Sequence, residues 1–84
     1  MRITLKLFAS LSVHLPAEVR SRLRVELDAE LGTTVAELIR RQGISEGQCA
    51  IVLVDGVWLA PAERVGRVLS EGEVLAIWPP VAGG

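Results

Sequence analysis

At 84 residues the chain has room for one domain and one compact core, a chain of this size burying about 60–65% of the surface it exposes when unfolded. Half of the residues are apolar and 23% charged, an ordinary globular balance that excludes a disordered chain. A formal net charge of −1 without a basic run or an aromatic-interleaved basic patch argues against a nucleic-acid partner, which needs clustered cations. No stretch approaches about eighteen uninterrupted apolar residues, and no charged segment leads into an apolar run with a cleavage site. The expectation is therefore a cytoplasmic protein with no membrane partner.

Arg2 to Phe8 alternates, with Ile3, Leu5 and Leu7 on one face and Arg2, Thr4 and Lys6 on the other, which predicts a half-buried strand. Ala9 to Leu15 is short and apolar-rich, and Pro16 turns Leu15 away from helical geometry, so this segment holds a helical turn or two at most. Arg22 to Leu27 alternates again: Leu23, Val25 and Leu27 point inward and Arg20, Arg22 and Arg24 lie on the solvent face of the strand. The first two strands are expected to pair antiparallel. The period then changes. Thr34, with Glu37 three residues on, matches a capping box, and Val35, Leu38 and Ile39 share one face. Arg40 and Arg41 complement the negative end of the helix dipole and Gly43 suits a left-handed stop.

Ala50 to Val54 is a continuous apolar run, the pattern of a strand covered on both faces or central in a sheet. Asp55-Gly56 is a two-residue hairpin signal, after which Val57-Trp58-Leu59 returns. Ala60 to Gly72 reads as loop, pinned to the core by Val65, Val68 and Leu69, and Glu73 to Trp78 forms the last strand. Strand, strand, helix, then three strands describe an α+β domain with one main helix packed on a mixed sheet of four to five strands. The domain is expected over residues 1–78, with a flexible C-terminal tail over 79–84.

Few groups here carry chemistry. Cys49, the single cysteine, has no disulfide or metal-ligand partner at the usual spacing and reads as a buried or semi-buried structural thiol. A persulfide on Cys49 would need an activating environment, and the residues that follow read simply as strand. His14, the only histidine, has no ligand or Ser/Asp constellation beside it and reads as a surface or packing residue. No metal site and no bound cofactor are expected. What remains is Pro79-Pro80-Val81-Ala82-Gly83-Gly84: two prolines that stiffen a base, then small residues leading to a carboxylate with no β-carbon nearby.

Those six residues resemble the ending of the MoaD/ThiS sulfur-carrier family, most closely its molybdopterin synthase small-subunit branch. Arg2-to-Ala9, Thr34-Val35-Ala36-Glu37-Leu38, Leu53-Val54-Asp55-Gly56 and Ser70-Glu71-Gly72-Glu73-Val74 resemble the corresponding family segments. Asp55 stands where members often carry Asn, Glu71-Gly72-Glu73 replaces Asp-Gly-Asp, and the loop from Ala60 to Ser70 is long. The resemblance implies a ubiquitin-like β-grasp fold with the first and last strands side by side at the sheet centre. It also implies a carrier or co-substrate rather than an enzyme in itself. An E1-like enzyme would use ATP to adenylate Gly84, a sulfur donor protein would supply the sulfur, and the resulting thiocarboxylate would enter a partner. In the closest branch that partner is the large subunit of a heterotetrameric molybdopterin synthase. Gly83 would give backbone access, Ala82 and Val81 would line the partner's channel, and Pro80 and Pro79 would stiffen the base.

The only aromatics, Phe8, Trp58 and Trp78, lie near strand ends where the family presents apolar residues to partners, and on one exposed face they would form an anchor cluster. For Phe8 a place in the core is an equal alternative. Two other functions share the pattern: a carrier for thiamine thiazole or cysteine synthesis, and a ubiquitin-like modifier or interaction module whose tail is never activated.

Overall fold

The computed structural model describes residues 1–81. Five strands form one mixed sheet: β1 (Arg2–Leu7), β2 (Arg24–Asp28), β3 (Ile51–Val54), β4 (Val57–Trp58) and β5 (Val74–Trp78), in the order β2-β1-β5-β3-β4. β1 pairs antiparallel with β2 in the register Leu5 to Val25 and parallel with β5 in the register Leu5 to Leu75. β5 pairs antiparallel with β3, placing Ile51 opposite Trp78, and β3 pairs antiparallel with β4. The first and last strands thus lie side by side in the middle of the sheet. One helix, α1 (Val35–Arg41), buries Val35, Leu38 and Ile39 in the same cluster as Ile3, Leu5, Leu7, Val52, Leu75 and Ile77. This is the ubiquitin-like β-grasp arrangement.

Local chemistry accounts for most of these elements. The Thr34 hydroxyl oxygen accepts from the Glu37 backbone N–H at 3.2 Å and donates to the Glu37 carboxylate at 3.1 Å, which closes the N-terminal end of α1. Gly43 (φ +81°) takes the left-handed position past the helix end, and His14 packs beside it. Asp55 (φ 49°) and Gly56 (φ 80°) form the two-residue turn that joins β3 and β4. The Asp55 carboxylate also accepts from the Val74 N–H at 2.8 Å, tying the turn to the start of β5.

Two expectations are corrected and one pair of alternatives is decided. Arg20 and Arg22 do not stand on a strand: Ala17–Arg22 is a 3-10 turn, and β2 starts at Arg24 after Leu23 adopts left-handed geometry (φ 60°). The alternation ran across a turn–strand junction, and Arg20 instead donates to the carbonyls of Leu15 and Val13, both at 3.1 Å. For the apolar run of β3 the structure selects the second of the two alternatives, a place inside the sheet: β3 is flanked on both edges but covered on one face only, so Ile51 is 45% exposed.

The second correction concerns the long loop. Leu69 is buried, but Val65 and Val68 are exposed, and the loop is held by other means. The first N–H groups of α1 have no partners within the helix. Here the loop supplies them: Val35 N–H donates to Arg67 O at 2.9 Å and Ala36 N–H to Arg64 O at 3.0 Å, while Leu69 N–H donates to Thr33 O at 2.9 Å. Arg64, a residue type that is rarely interior, is 3% exposed.

At the far end of this loop the Arg67 guanidinium forks onto both carboxylate oxygens of Glu73, with Nη1 to Oε1 at 3.2 Å. The hydrogen bond from Arg67 holds the Glu73 carboxyl below the usual carboxylate range; the Ser70 N–H adds to this and partial burial opposes it. A lowered folded-state pKa contributes stability above the unfolded value, near about 4.3 for Glu, and that stability is lost as the pH falls through the folded value. Urea midpoints measured from about pH 5 to about pH 3 should therefore fall less steeply for Glu73→Gln than for the natural chain. An equal slope would show that this pair does not contribute to acid sensitivity.

Candidate functional site

The pleat sorts the sheet into two faces. Ile3, Leu5, Leu7, Val52, Val54, Leu75 and Ile77 point toward α1 and are buried. The residues alternating with them face away from the helix, and on that open face the composition divides. Across β2 and β1 the open face carries Arg24, Glu26, Asp28, Arg2, Thr4 and Lys6. Arg2 bridges Asp28 at 3.2 Å and Glu26 at 3.4 Å, both exposed pairs. Across β5, β3 and β4 it carries Trp78, Ala76, Ile51, Leu53 and Trp58.

All three aromatics fall in or beside this apolar half. Phe8, the residue after β1, stacks on Trp78 with ring centroids 4.1 Å apart and planes 5° from parallel. Phe8 is half-buried and outside the core cluster, so of its two alternatives the structure selects the open face. Trp58, on the edge strand, is opposite Leu53 and 58% exposed. The result is an aromatic strip that starts at Phe8 and Trp78 and ends at Trp58, beside a charged half that limits its extent.

Trp78 is held at both its ring and its backbone. Its carbonyl accepts from Ala50 N–H at 2.9 Å, and Phe8 N–H donates to the preceding Ile77 carbonyl at 3.2 Å. The chain therefore leaves the sheet from a fixed point. Pro79 is half-buried, and Pro80 and Val81 are exposed. The expected reactive residue Gly84, with Gly83 and Ala82, lies outside the described residues.

The other candidates are inert. Cys49 is buried, and burial pushes its thiol pKa up, with the nearby Arg64 charge opposing and Glu46 adding. An elevated pKa keeps it a thiol, the unreactive form. His14 is half-buried beside Gly43 with no partner of catalytic type. Among the described residues no three His, Cys, Asp or Glu side chains gather as a metal site, and no helix is long and apolar enough to cross a membrane.

A β-grasp sheet with one open, partly aromatic face, and with a diglycine-bearing segment leaving from its central strand, defines a ubiquitin-like carrier or modifier fold. The chain belongs to the ThiS family, which it matches over residues 13–84. Members of that family are small carrier subunits rather than catalysts. No curated protein matches the sequence. Among solved structures the chain is similar to the HVO 2177 protein of Haloferax volcanii (22% identity, TM-score 0.73, covering 100% of this chain and 87% of that one). It is similar to SAMP1 of the same organism (26%, TM-score 0.65, all of both chains). It is also similar in fold to a chain from the complex of subunits 1 and 2 of molybdopterin-converting factor from Helicobacter pylori (18%, TM-score 0.61, all of both chains).

Proposed function

We propose that the chain is a sulfur carrier that bears a thiocarboxylate on Gly84 and serves as the small subunit of a molybdopterin synthase. The observation that carries this reading is the family match, which runs to Gly83-Gly84 at the end of a segment leaving the central strand. An ionised carboxylate, with a pKa near about 3.3–3.7, is a weak nucleophile, so the tail needs an enzyme that holds it against ATP. The carboxylate oxygen would attack the α-phosphate and expel pyrophosphate. A sulfur nucleophile delivered by a donor protein would then add to the acyl carbon and displace AMP. The product anion is a better nucleophile than the carboxylate it replaces. Gly84 is a reactant in this scheme rather than a catalyst.

The structure supports the scheme through placement. Pro79 and Pro80 limit the freedom lost when the segment threads a partner, with Val81, Ala82 and Gly83 as the thin strip that follows. Phe8, Trp58 and Trp78 supply apolar anchors on the sheet from which it leaves. The partners are an E1-like adenylating enzyme, a sulfur donor protein and a larger catalytic subunit in a heterotetramer, all in the cytoplasm, with neither nucleic acid nor membrane involved. No bound cofactor is required beyond the ATP that the activating enzyme consumes. Residues 1–78 act as the folded body and 79–84 as the working tail.

Intact-mass spectrometry after incubation with a cognate activating enzyme, ATP and a sulfur donor tests this. The expected result is exchange of one oxygen for sulfur at the C-terminal residue, and no exchange would sink the carrier reading. Stable assembly with a molybdopterin synthase large subunit is expected; assembly with a thiazole synthase instead would assign the chain to the thiamine branch, and a cysteine-synthesis partner to that pathway. A second reading is favoured by the likeness to SAMP1, the structure of a small archaeal modifier protein. Under that reading the adenylated Gly84 would pass to lysine amines, and the same experiment would reveal isopeptide-linked adducts.

A further inference from the structure

One row of side chains crosses all five strands on the open face. Lys6 on β1 is opposite Arg24 on β2 and Ala76 on β5; Ala76 is opposite Leu53 on β3, and Leu53 is opposite Trp58 on β4. The row begins on two cations and ends on a tryptophan. Side chains directly opposite on neighbouring strands have Cβ atoms about 4.5–5.5 Å apart, so Lys6 and Arg24 form a like-charge pair, which is unfavourable in the free protein. Nothing on the face offsets it. The four ion pairs among the described residues use other groups, and the carboxylates of this face, Glu26 and Asp28, are both held by Arg2. Arg22 adds a third cation beside Arg24, in a hollow at the free edge of β2 that Glu26 also lines.

This pair adjoins the aromatic strip. Lys6 is half-buried, two residues before Phe8, and Ala76 between Lys6 and Leu53 is 7% exposed. From β1 to β4 is three strand spacings, roughly 14 Å, well inside the width of one ordinary interface of about 800 Å² per partner. A protein that covers Trp78 and Trp58 therefore also covers the middle of the row and lays its own surface against Lys6. A cation stripped of water there and left unpaired is costly, so a fitting partner brings the opposite charge.

We propose that Lys6 and Arg24 are the electrostatic part of the docking surface, and that the protein covering the aromatic strip presents a pair of carboxylates to them. This rests on the reading under which the open face meets the larger subunit, and it adds the chemistry of that subunit's matching surface. Two cations on an open face have no enclosing wall to hold a small anion against solvent, so the occupant is a macromolecule. A polyanion such as nucleic acid fits less well: two strand positions along, the same face carries Glu26 and Asp28, and the whole chain has a net charge of −1. A short acidic patch beside an apolar one matches both halves of the row.

Calorimetric titration of the molybdopterin synthase large subunit with the full chain, at low and at high salt, tests the proposal. Lys6→Gln should weaken binding about twofold to fivefold at low salt. Lys6→Glu sets a like charge against the partner's carboxylates and should weaken it by about tenfold or more, and both variants should flatten the salt dependence. Folding should move the other way. Lys6→Glu places an opposite charge across from Arg24, so its melting temperature is expected to hold or rise. Arg40→Gln, on α1 at the other side of the sheet, removes the same charge from the chain and should leave binding and its salt dependence unchanged. Equal binding by the natural chain, Lys6→Gln and Lys6→Glu would overturn this proposal alone, as would an Arg40→Gln loss as large as that of Lys6→Gln. Failure of the natural chain to bind the large subunit would overturn the molybdopterin synthase reading and this proposal with it. A single-stranded oligonucleotide that binds the natural chain as tightly as the large subunit does, and loses that binding in Lys6→Gln, would reassign the cations to nucleic acid and overturn it too.

Discussion

Removal of Gly84 is expected to abolish sulfur loading by an activating enzyme while leaving folding within about 0.5 kcal/mol of the natural chain. The size of the functional effect follows from chain geometry. Each extended residue adds about 3.3–3.6 Å, so the shortened tail presents its carboxylate that far from the reacting phosphorus. Reacting atoms must come within about 3–3.5 Å, so the retraction is as large as the whole approach distance. The tail cannot regain that length by drawing chain out of the sheet, because Trp78 is held by its carbonyl, by its stack on Phe8 and by the pairing of β5 with β1 and β3. Intact mass reads the loading and thermal unfolding reads the fold. Undiminished loading would place the reactive group elsewhere than Gly84, and a large drop in melting temperature would make the tail a structural element.

The second large effect is expected at the aromatic strip, where the two tryptophans should separate binding from folding. Trp58→Ala removes a side chain from an edge strand where it is 58% exposed, so stability changes little. If the strip is the docking surface, binding to the larger subunit weakens by about 2 kcal/mol or more, roughly thirtyfold. Trp78→Ala removes the same kind of anchor and the parallel stack on Phe8, a pair worth about 0.5–1.5 kcal/mol beyond the area it buries. It should therefore cost some stability, yet weaken binding more. Calorimetric titration of each variant with the large subunit, beside urea unfolding, gives both numbers. A Trp78→Ala variant that binds normally once folded would place Trp78 among the structural residues, and normal binding by both variants would move the interface off this face.

Much of the fold was legible because its instructions are local. The alternation of Ile3, Leu5 and Leu7, the pairing of Thr34 with Glu37, the Asp55-Gly56 turn and the left-handed Gly43 each act through residues a few positions apart. Arg20 and Arg22 were misplaced for the same reason. Alternation continues across a junction that one left-handed residue, Leu23, breaks, and nothing in its apolar side chain announces that conformation. Of the candidate site, the three aromatics could be named from the sequence, but whether Phe8 pointed inward or outward could not, since one residue beyond the strand decides it.

The sequence by itself determined the strands, the helix and its caps, the hairpin, and the diglycine segment on which the proposed chemistry rests. These depend on period, turn preference and the absence of side chains, all properties of neighbouring residues. Only the tertiary structure decided that the sheet keeps one open face, that Phe8 and Trp78 stack there with Trp58 on the same side, and that Arg64 rather than Val65 or Val68 goes inside. Those outcomes depend on contacts between residues far apart in the chain. The unpaired N–H groups at the start of α1 draw in the carbonyls of Arg64 and Arg67, and once that backbone is fixed the Arg64 side chain is carried into the interior against the preference of its own charge.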